Sequence, residues 1–274
     1  MVISELIKYV REQLDDNAEF EARQLVMHIM GVTHTELILK SSAEVSEEIT
    51  SEIMRCVKRR KNGEPLQYII GTAEFMSLEF KVTPDTLIPR SDTETLVETV
   101  IDCIGERKVT LLDIGSGTGC IGISAAHYTN ADVTFVDVSR SALSIAEENA
   151  KKHNINAEFI NMDILQQIPT GKYDIIVSNP PYIETEVIET LQREVKDYEP
   201  VLALDGGADG LKFYRRIAEI APSLLNANGI IAFEIGYNQG EAVFEILQKN
   251  FENVKLINDL CGNDRVVIGS LKMN

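Results

Sequence analysis

Val109-Thr110-Leu111-Leu112-Asp113-Ile114-Gly115-Ser116-Gly117-Thr118-Gly119 reads as a strand that runs into a glycine loop with a helix behind it. Such loops let backbone approach a nucleotide cofactor without a Cβ in the way. The third glycine comes one residue earlier than in the dinucleotide fingerprint, and position 120 is Cys, so a pyrophosphate ligand loses support. Asp113 adds a carboxylate beside the loop, which suits a ligand bearing an ammonium better than one bearing phosphates. A lone glycine loop is weak evidence, and the neighbouring strands decide what it means.

From Val109 onward strands and helices alternate, the signature of a wound α/β domain with a mostly parallel sheet. The expected strands cover 109–113, 132–137, 157–161, 173–178, 229–235, 253–258 and 265–271, seven in all. Helices are expected over 120–127, 141–154, 211–225 and 239–248. The second strand ends at Asp137, where an acidic residue can accept hydrogen bonds from both ribose hydroxyls, in NAD or in S-adenosylmethionine alike. Asp163 follows the third strand and suits either the adenine amino group or a helix N-cap.

The fourth strand runs into Val177-Ser178-Asn179-Pro180-Pro181-Tyr182-Ile183. Pro180 has no N–H to give a sheet, so the strand must stop there. The stiff turn that follows holds the Asn179 side chain, nearby carbonyls and the Tyr182 ring at a strand's carboxyl end, where open α/β sheets bind ligands. This turn reads as a methyl-acceptor clamp. Glycine loop, Asp137, Asp163 and this turn on successive strand ends make coincidence improbable.

Upstream, Ile3, Leu6, Ile7, Val10 and Leu14, then Ala22, Leu25, Val26 and Ile29 up to Gly31, recur at helical spacing. A short helix over 35–39 and a longer one ending at Lys61, with Ser46 as N-cap, complete a small helical domain. The run Lys58-Arg59-Arg60-Lys61 before Asn62-Gly63 reads as a helix C-terminus with a glycine cap, in preference to a partner-binding patch. From Pro65 the texture changes, and apolar residues alternating through Glu74–Val82 indicate a hairpin between the domains. Ser91-Asp92-Thr93-Glu94 offers a capping box for the next helix. Arg90, just before it, reads as a carboxylate or phosphate holder or as a structural salt bridge.

The formal charge of −17 weighs against a protein that grips a long phosphate backbone. Cys56, Cys103, Cys120 and Cys261 form no close pair and are expected to be buried free thiols. No two of the four histidines have metal-type spacing, so no metal site is expected, and His127 reads as a packed surface residue. The start, Met1-Val2-Ile3-Ser4-Glu5, lacks the basic flank and long apolar core of a signal peptide. A cytoplasmic protein with no membrane partner is expected. Glu234 ends a strand and suits either the acceptor pocket or a hydrogen bond to a neighbouring loop, while Asp264-Arg265 reads as a local ion pair.

The assembled motifs resemble the class I S-adenosylmethionine-dependent methyltransferases, whose Asn-Pro-Pro-Tyr turn methylates nitrogen in planar systems. Glu64-Pro65-Leu66-Gln67-Tyr68-Ile69-Ile70-Gly71, Leu87-Ile88-Pro89-Arg90-Ser91-Asp92-Thr93-Glu94 and Glu199-Pro200-Val201-Leu202-Ala203-Leu204, with the Asp205–Leu211 segment, are similar to the PrmC/HemK family of release-factor glutamine methyltransferases. Ser91 stands where that family often has proline. The resemblance spans essentially the whole chain. It implies a Rossmann-like fold with a seven-stranded, mostly parallel sheet, a helical N-terminal domain for release-factor recognition (1–72), a hairpin linker (73–90) and a catalytic domain (91–274).

The same resemblance implies N5-methylation of the glutamine in the Gly-Gly-Gln tip of bacterial class I release factors, with S-adenosylmethionine as cofactor and S-adenosylhomocysteine as product. Gly115, Ser116, Gly117, Thr118 and Gly119, with Asp113, would line the cofactor, Asp137 its ribose and Asp163 its adenine. Asn179, Pro180, Pro181 and Tyr182 would hold the glutamine, with Arg90 and Glu234 beside them and Asn179 also reaching the cofactor. A monomer with no need of nucleic acid is expected. The competing readings are an adenine-N6 methyltransferase, opposed by the charge and the lack of a basic, aromatic-rich recognition domain, and a non-catalytic cofactor-binding adaptor.

Overall fold

The structure, a computed structural model, describes residues 1–14 and 18–272 and divides into two compact units. One comprises Met1–Gly71 together with Arg193–Tyr198, and the other Thr72–Gln192 with Glu199–Asn274. The first unit is built from α1 (Ile3–Gln13), α2 (Ala18–Met30), α3 (His34–Leu39), α4 (Glu47–Lys61) and α5 (Leu66–Ile70). Their apolar stripes meet, so that Ile3, Leu6, Val10, Leu25, Val26 and Ile53 are fully buried. Ser46 caps α4 as expected, its hydroxyl accepting from the Ile49 N–H.

The basic run closes α4, with Asn62 as C-cap and Gly63 in the left-handed region. Arg59 pairs with Glu64, while Arg60 is bound to Glu21 at 2.8 Å and to Glu194 at 2.7 Å. Residues 66–70, to which the sequence reading assigned no element of their own, form a helical turn. Pro65 suits the entry to a helix and Gly71, at φ +83°, closes it, so end chemistry decides a short apolar run.

In the second unit a hairpin comes first, β1 (Thr72–Phe75) antiparallel to β2 (Leu78–Lys81), joined through Met76 and Ser77. Helix α6 (Ser91–Ile104) follows. Its N-cap is Arg90 and not Ser91, and Glu94 does not close a capping box: its Oε1 accepts from the Met76 N–H at 2.7 Å. The carboxylate satisfies a turn that lacks other local partners, which outweighs capping its own helix.

The sheet contains β3 (Lys108–Ile114), β4 (Asn130–Asp137), β5 (Ala157–Asn161), β6 (Tyr173–Ser178), β7 (Leu225–Glu234), β8 (Phe251–Asn258) and β9 (Asp264–Leu271). Their order is β5-β4-β3-β6-β7-β9-β8, parallel up to β7, with β9 antiparallel to β7 and β8 antiparallel to β9. Alternate residues feed two cores. Leu111, Val133, Phe135 and Val177 pack with α6 and α7 (Cys120–Tyr128) on one face. Leu112, Ile176, Ile231 and Phe233 pack with α10 (Lys212–Leu224) and α11 (Gly240–Gln248) on the other. Helix α8 (Arg140–Lys152) follows β4, and α9 (Arg193–Tyr198) lies in the β6 to β7 connection.

Two smaller expectations change. Cys56 and Cys120 are buried free thiols, but Cys103 is only partly covered and Cys261 is exposed, in the turn from β8 to β9, where no core is near. Arg265 ignores its neighbour Asp264 and binds Asp92 at 3.0 Å and Asp259 at 3.1 Å. Adjacent residues on a strand point to opposite faces, so a strand-internal pair cannot close easily.

Candidate active site

Strand register gathers the site. Ile114 pairs with Val136, Asp113 with Val177, and Ser178 with Phe233. One residue further along each of these four adjacent strands stand Asp137, Gly115, Asn179 and Glu234, a single row at the carboxyl edge of β4, β3, β6 and β7. The sheet's order reverses between β3 and β6, so the row crosses the switch point at which such sheets bind ligands. Ser178 locks the two central strands by donating from Oγ to the Ile114 carbonyl at 2.6 Å.

The glycine loop is shaped by φ values of +73° at Gly115 and +53° at Gly117, and an added Cβ at either would meet open space, not protein. The Gly117 N–H donates to Asp137 Oδ2 at 2.9 Å and the Ser139 N–H to Oδ1 at 2.8 Å, which fixes the carboxylate beside the loop. Burial raises the Asp137 pKa, and these backbone donors oppose it. Asp113 lies underneath, fully buried. Its Oδ2 accepts from the Gly122 N–H at 3.0 Å, while Oδ1 and the buried Ser116 Oγ have no partner among the described residues. Burial pushes the Asp113 carboxyl up to about 7.

A backbone cradle with open space above it, a fixed carboxylate and two unsatisfied polar oxygens fit a cofactor that carries a ribose and an ammonium group. Thr118 has its carbonyl held by Asn149 Nδ2 at 3.0 Å, a contact no local pattern discloses.

Beyond β6, Asn179 and Tyr182 are half-buried and Pro180 is buried. Asn179 Nδ2 donates to the Thr93 hydroxyl at 3.3 Å. The turn is backed by the segment that follows α9: Ile183 donates to the Leu204 carbonyl at 3.0 Å, and Gly206 donates to the Ile183 carbonyl at 2.8 Å. Gly210 sits so close that a Cβ there would lie 2.3 Å from the Tyr182 carbonyl oxygen. Gln239 Nε2 donates to that same oxygen at 3.0 Å. Burial, then the nearby Glu234 charge, pushes the Tyr182 phenol up to about 12.

Glu234 is 2% exposed and its Oε2 has no partner among the described residues. Burial pushes its carboxyl up to about 7 against the opposing pull of hydrogen bonding from Thr93, the Arg265 charge and Asn179. Arg90 binds the buried Glu199, the structural side of its two readings. Asp163 caps a turn, not a helix, accepting from the Leu165 N–H at 2.9 Å and from Gln166 Nε2 at 2.7 Å. Thr93, Asn149 and Gln239 escaped the sequence reading. Thr93 stood only in the expected capping box, and Asn149 and Gln239 only within expected helices.

Fold and strand-end row together define a class I S-adenosylmethionine-dependent methyltransferase. A methyltransferase from Pyrococcus furiosus has the same fold, with a TM-score of 0.55 and 19% identity over 83% of this chain and 100% of that one. The methyltransferase small domain matches residues 91–208 and the PrmC N-terminal domain residues 3–71. Release factor glutamine methyltransferase of Fusobacterium nucleatum is 40% identical over 97% of this chain and 77% of its own length. That of Geobacter sulfurreducens is 38% identical over 96% and 93% respectively. The chain belongs to the release factor glutamine methyltransferase family.

Proposed function

We propose that this chain transfers a methyl group from S-adenosylmethionine to the N5 side-chain nitrogen of the glutamine in the Gly-Gly-Gln tip of bacterial class I peptide-chain release factors. The observation that carries the reading is the Asn179 amide, one strand away from the glycine loop and held through its nitrogen by Thr93, which leaves its oxygen for an acceptor. An amide nitrogen is a poor nucleophile because its lone pair is delocalised, as its rotation barrier of roughly 18–20 kcal/mol attests. Bound S-adenosylmethionine supplies a methyl group on a sulfonium.

The protein's part is to hold the acceptor. Asn179 Oδ1 and the Pro180 carbonyl accept from the substrate NH2, aim the nitrogen and stabilise the positive charge that grows on it. Tyr182 packs on the amide plane. Its phenol, with a pKa pushed up to about 12, keeps its proton throughout and is no base. The nitrogen's surplus proton leaves to water. Asp113, Ser116, Gly117, Thr118, Gly119 and Asp137 bind the cofactor in this reading, with Asp163 toward its adenine, and Arg90 shapes the pocket wall through Glu199.

Residues 1–72 serve release-factor recognition, 73–90 link and 91–274 carry catalysis, in a cytoplasmic monomer that needs no nucleic acid. No helix among the described residues is long and apolar enough to cross a membrane. Incubation with methyl-labelled cofactor and either release factor or nucleic acid tests the substrate. Label is expected in the release factor alone, and label in nucleic acid alone would overturn the proposal. Asn179→Ala is expected to bind cofactor within a few-fold of the parent yet lose about 100-fold or more in methyl transfer, and unchanged turnover would remove Asn179 from the clamp.

A further inference from the structure

Glu234 and Thr93 both neighbour Asn179. An asparagine amide has two faces of opposite polarity, and only its oxygen can accept from a substrate NH2. Something must set which face is offered. Asn179 Nδ2 donates to Thr93 Oγ1 at 3.3 Å, and Thr93 is 2% exposed, so water does not compete for that hydroxyl. The threonine has a single proton to give. Glu234, whose buried Oε2 has no partner among the described residues, neighbours both Thr93 and Asn179, and an ionised carboxylate only accepts.

We propose that Glu234 is a positioning residue that sets the polarity of the Asn179 amide, directly and through Thr93. With Glu234 ionised, the Thr93 hydroxyl donates toward Glu234 and is left to accept, which takes the Asn179 NH2 and turns Oδ1 toward the acceptor. With Glu234 protonated, the carboxyl donates to Thr93 Oγ1, Thr93 donates in turn, and Asn179 satisfies it by offering Oδ1. The Asn179 NH2 then faces the NH2 of the substrate, donor against donor, and the clamp opens. The inference rests on the glutamine-methyltransferase reading of the same site.

The surroundings make the switch specific to Glu234. Its neighbours are Asp92 and Thr93 from α6, Asn179 and Tyr182 from the turn after β6, Cys120 at the start of α7, Tyr214 from α10 and Arg265 from β9. Arg265 stays cationic and Asp92 is bound to it. Tyr182 and Cys120 are both pushed up to about 12 and Tyr214 well above its usual value. Glu234, at about 7, is the member of this group that changes charge near neutrality. The Tyr214 hydroxyl donates to the Glu234 main-chain carbonyl at 2.9 Å, which holds the strand end whatever the side chain's charge.

The test is kcat/KM for methylation of intact release factor across pH, at saturating cofactor, with cofactor affinity measured separately. The parent is expected to lose about tenfold per pH unit below a midpoint near the Glu234 pKa of about 7, with cofactor affinity flat over the same range. Glu234→Gln is expected to lower the plateau and abolish that acidic limb. Thr93→Val, which keeps the shape but not the hydroxyl, is expected to lose about 100-fold, and Thr93→Ser to return to within a few-fold of the parent. An acidic limb that survives Glu234→Gln, or equal activity in the valine and serine variants, overturns the inference. So does pH-independent methylation by the parent, which leaves the proposed function standing. A parent that methylates no release factor at any pH takes down that reading and this one together.

Discussion

Asn149 shows how much a single buried amide can hold. Fully buried on α8, it donates to the Lys81 and Thr118 carbonyls at 3.1 and 3.0 Å and accepts from the Lys81 N–H at 2.7 Å. Three elements therefore converge on it: the hairpin, the glycine loop and its own helix. Asn149→Ala leaves a buried N–H and two carbonyls unpaired and is expected to cost about 2–4 kcal/mol of stability by denaturant unfolding. Cofactor affinity should fall by about tenfold, because the Thr118 carbonyl is what the loop leans on. Wild-type stability in the variant would mean that water replaces the amide at no cost. Residues of this kind explain what the sequence reading could not reach. Asp137, Asn179 and the glycines carry their chemistry in their type and in the strand they follow. Asn149, Thr93 and Gln239 acquire theirs from partners 68, 86 and 57 positions away, and an isolated polar residue on a helix looks the same whether solvated or buried.

At the scale of elements the hairpin is the instructive case. The alternation over residues 74–82 announces two strands but hides the turn, because Met76-Ser77 is not a turn pair. Both residues adopt positive φ, +49° and +57°, the conformation a two-residue hairpin loop demands and L side chains resist. The strain is held from outside: Glu94 takes the Met76 N–H, and the Tyr128 hydroxyl donates to the Met76 carbonyl at 2.6 Å. Ser77 is exposed, so its replacement probes backbone alone. Stability is expected to run Gly above Ser above Val at position 77, with Ser77→Val lower by about 1–2 kcal/mol. Strand propensity orders these residues the other way, and that order in thermal melts would place Ser77 inside a strand. The core strands were easier to read, since a buried parallel strand is a continuous apolar run whose end is marked by Pro or Gly. Capping residues misled where a tertiary partner was available, as Glu94 demonstrates.

For the molecule as a whole, the groups that build the site set the pH at which the apoprotein is most stable. Asp113 and Glu234 are fully enclosed and their pKa values stand at about 7, raised from 3.8 and 4.5 by desolvation. Asp137 is raised for the same reason. A carboxyl with a raised folded-state pKa binds more protons folded than unfolded between the two values, so stability falls as pH climbs through that window. Each of the first two withdraws on the order of 3 kcal/mol between about pH 4 and 8. Carboxyls held low by partners, such as Asp174 and Asp205, act oppositely, but their windows lie below the ordinary value of 3.8. Self-repulsion from a net charge of −17 pulls the same way as the buried pair. Stability is therefore expected to peak at about pH 4 and decline toward pH 8. Salt separates the causes, since it screens the surface charge but not an enclosed carboxylate. Denaturant unfolding at high salt should retain the decline, and Asp113→Asn should flatten it while gaining stability at pH 8. A stability that rises steadily from pH 5 to 8 in high salt would mean these carboxyls are hydrated in the apoprotein. The site would then owe its raised pKa values to closure around a ligand and not to the fold.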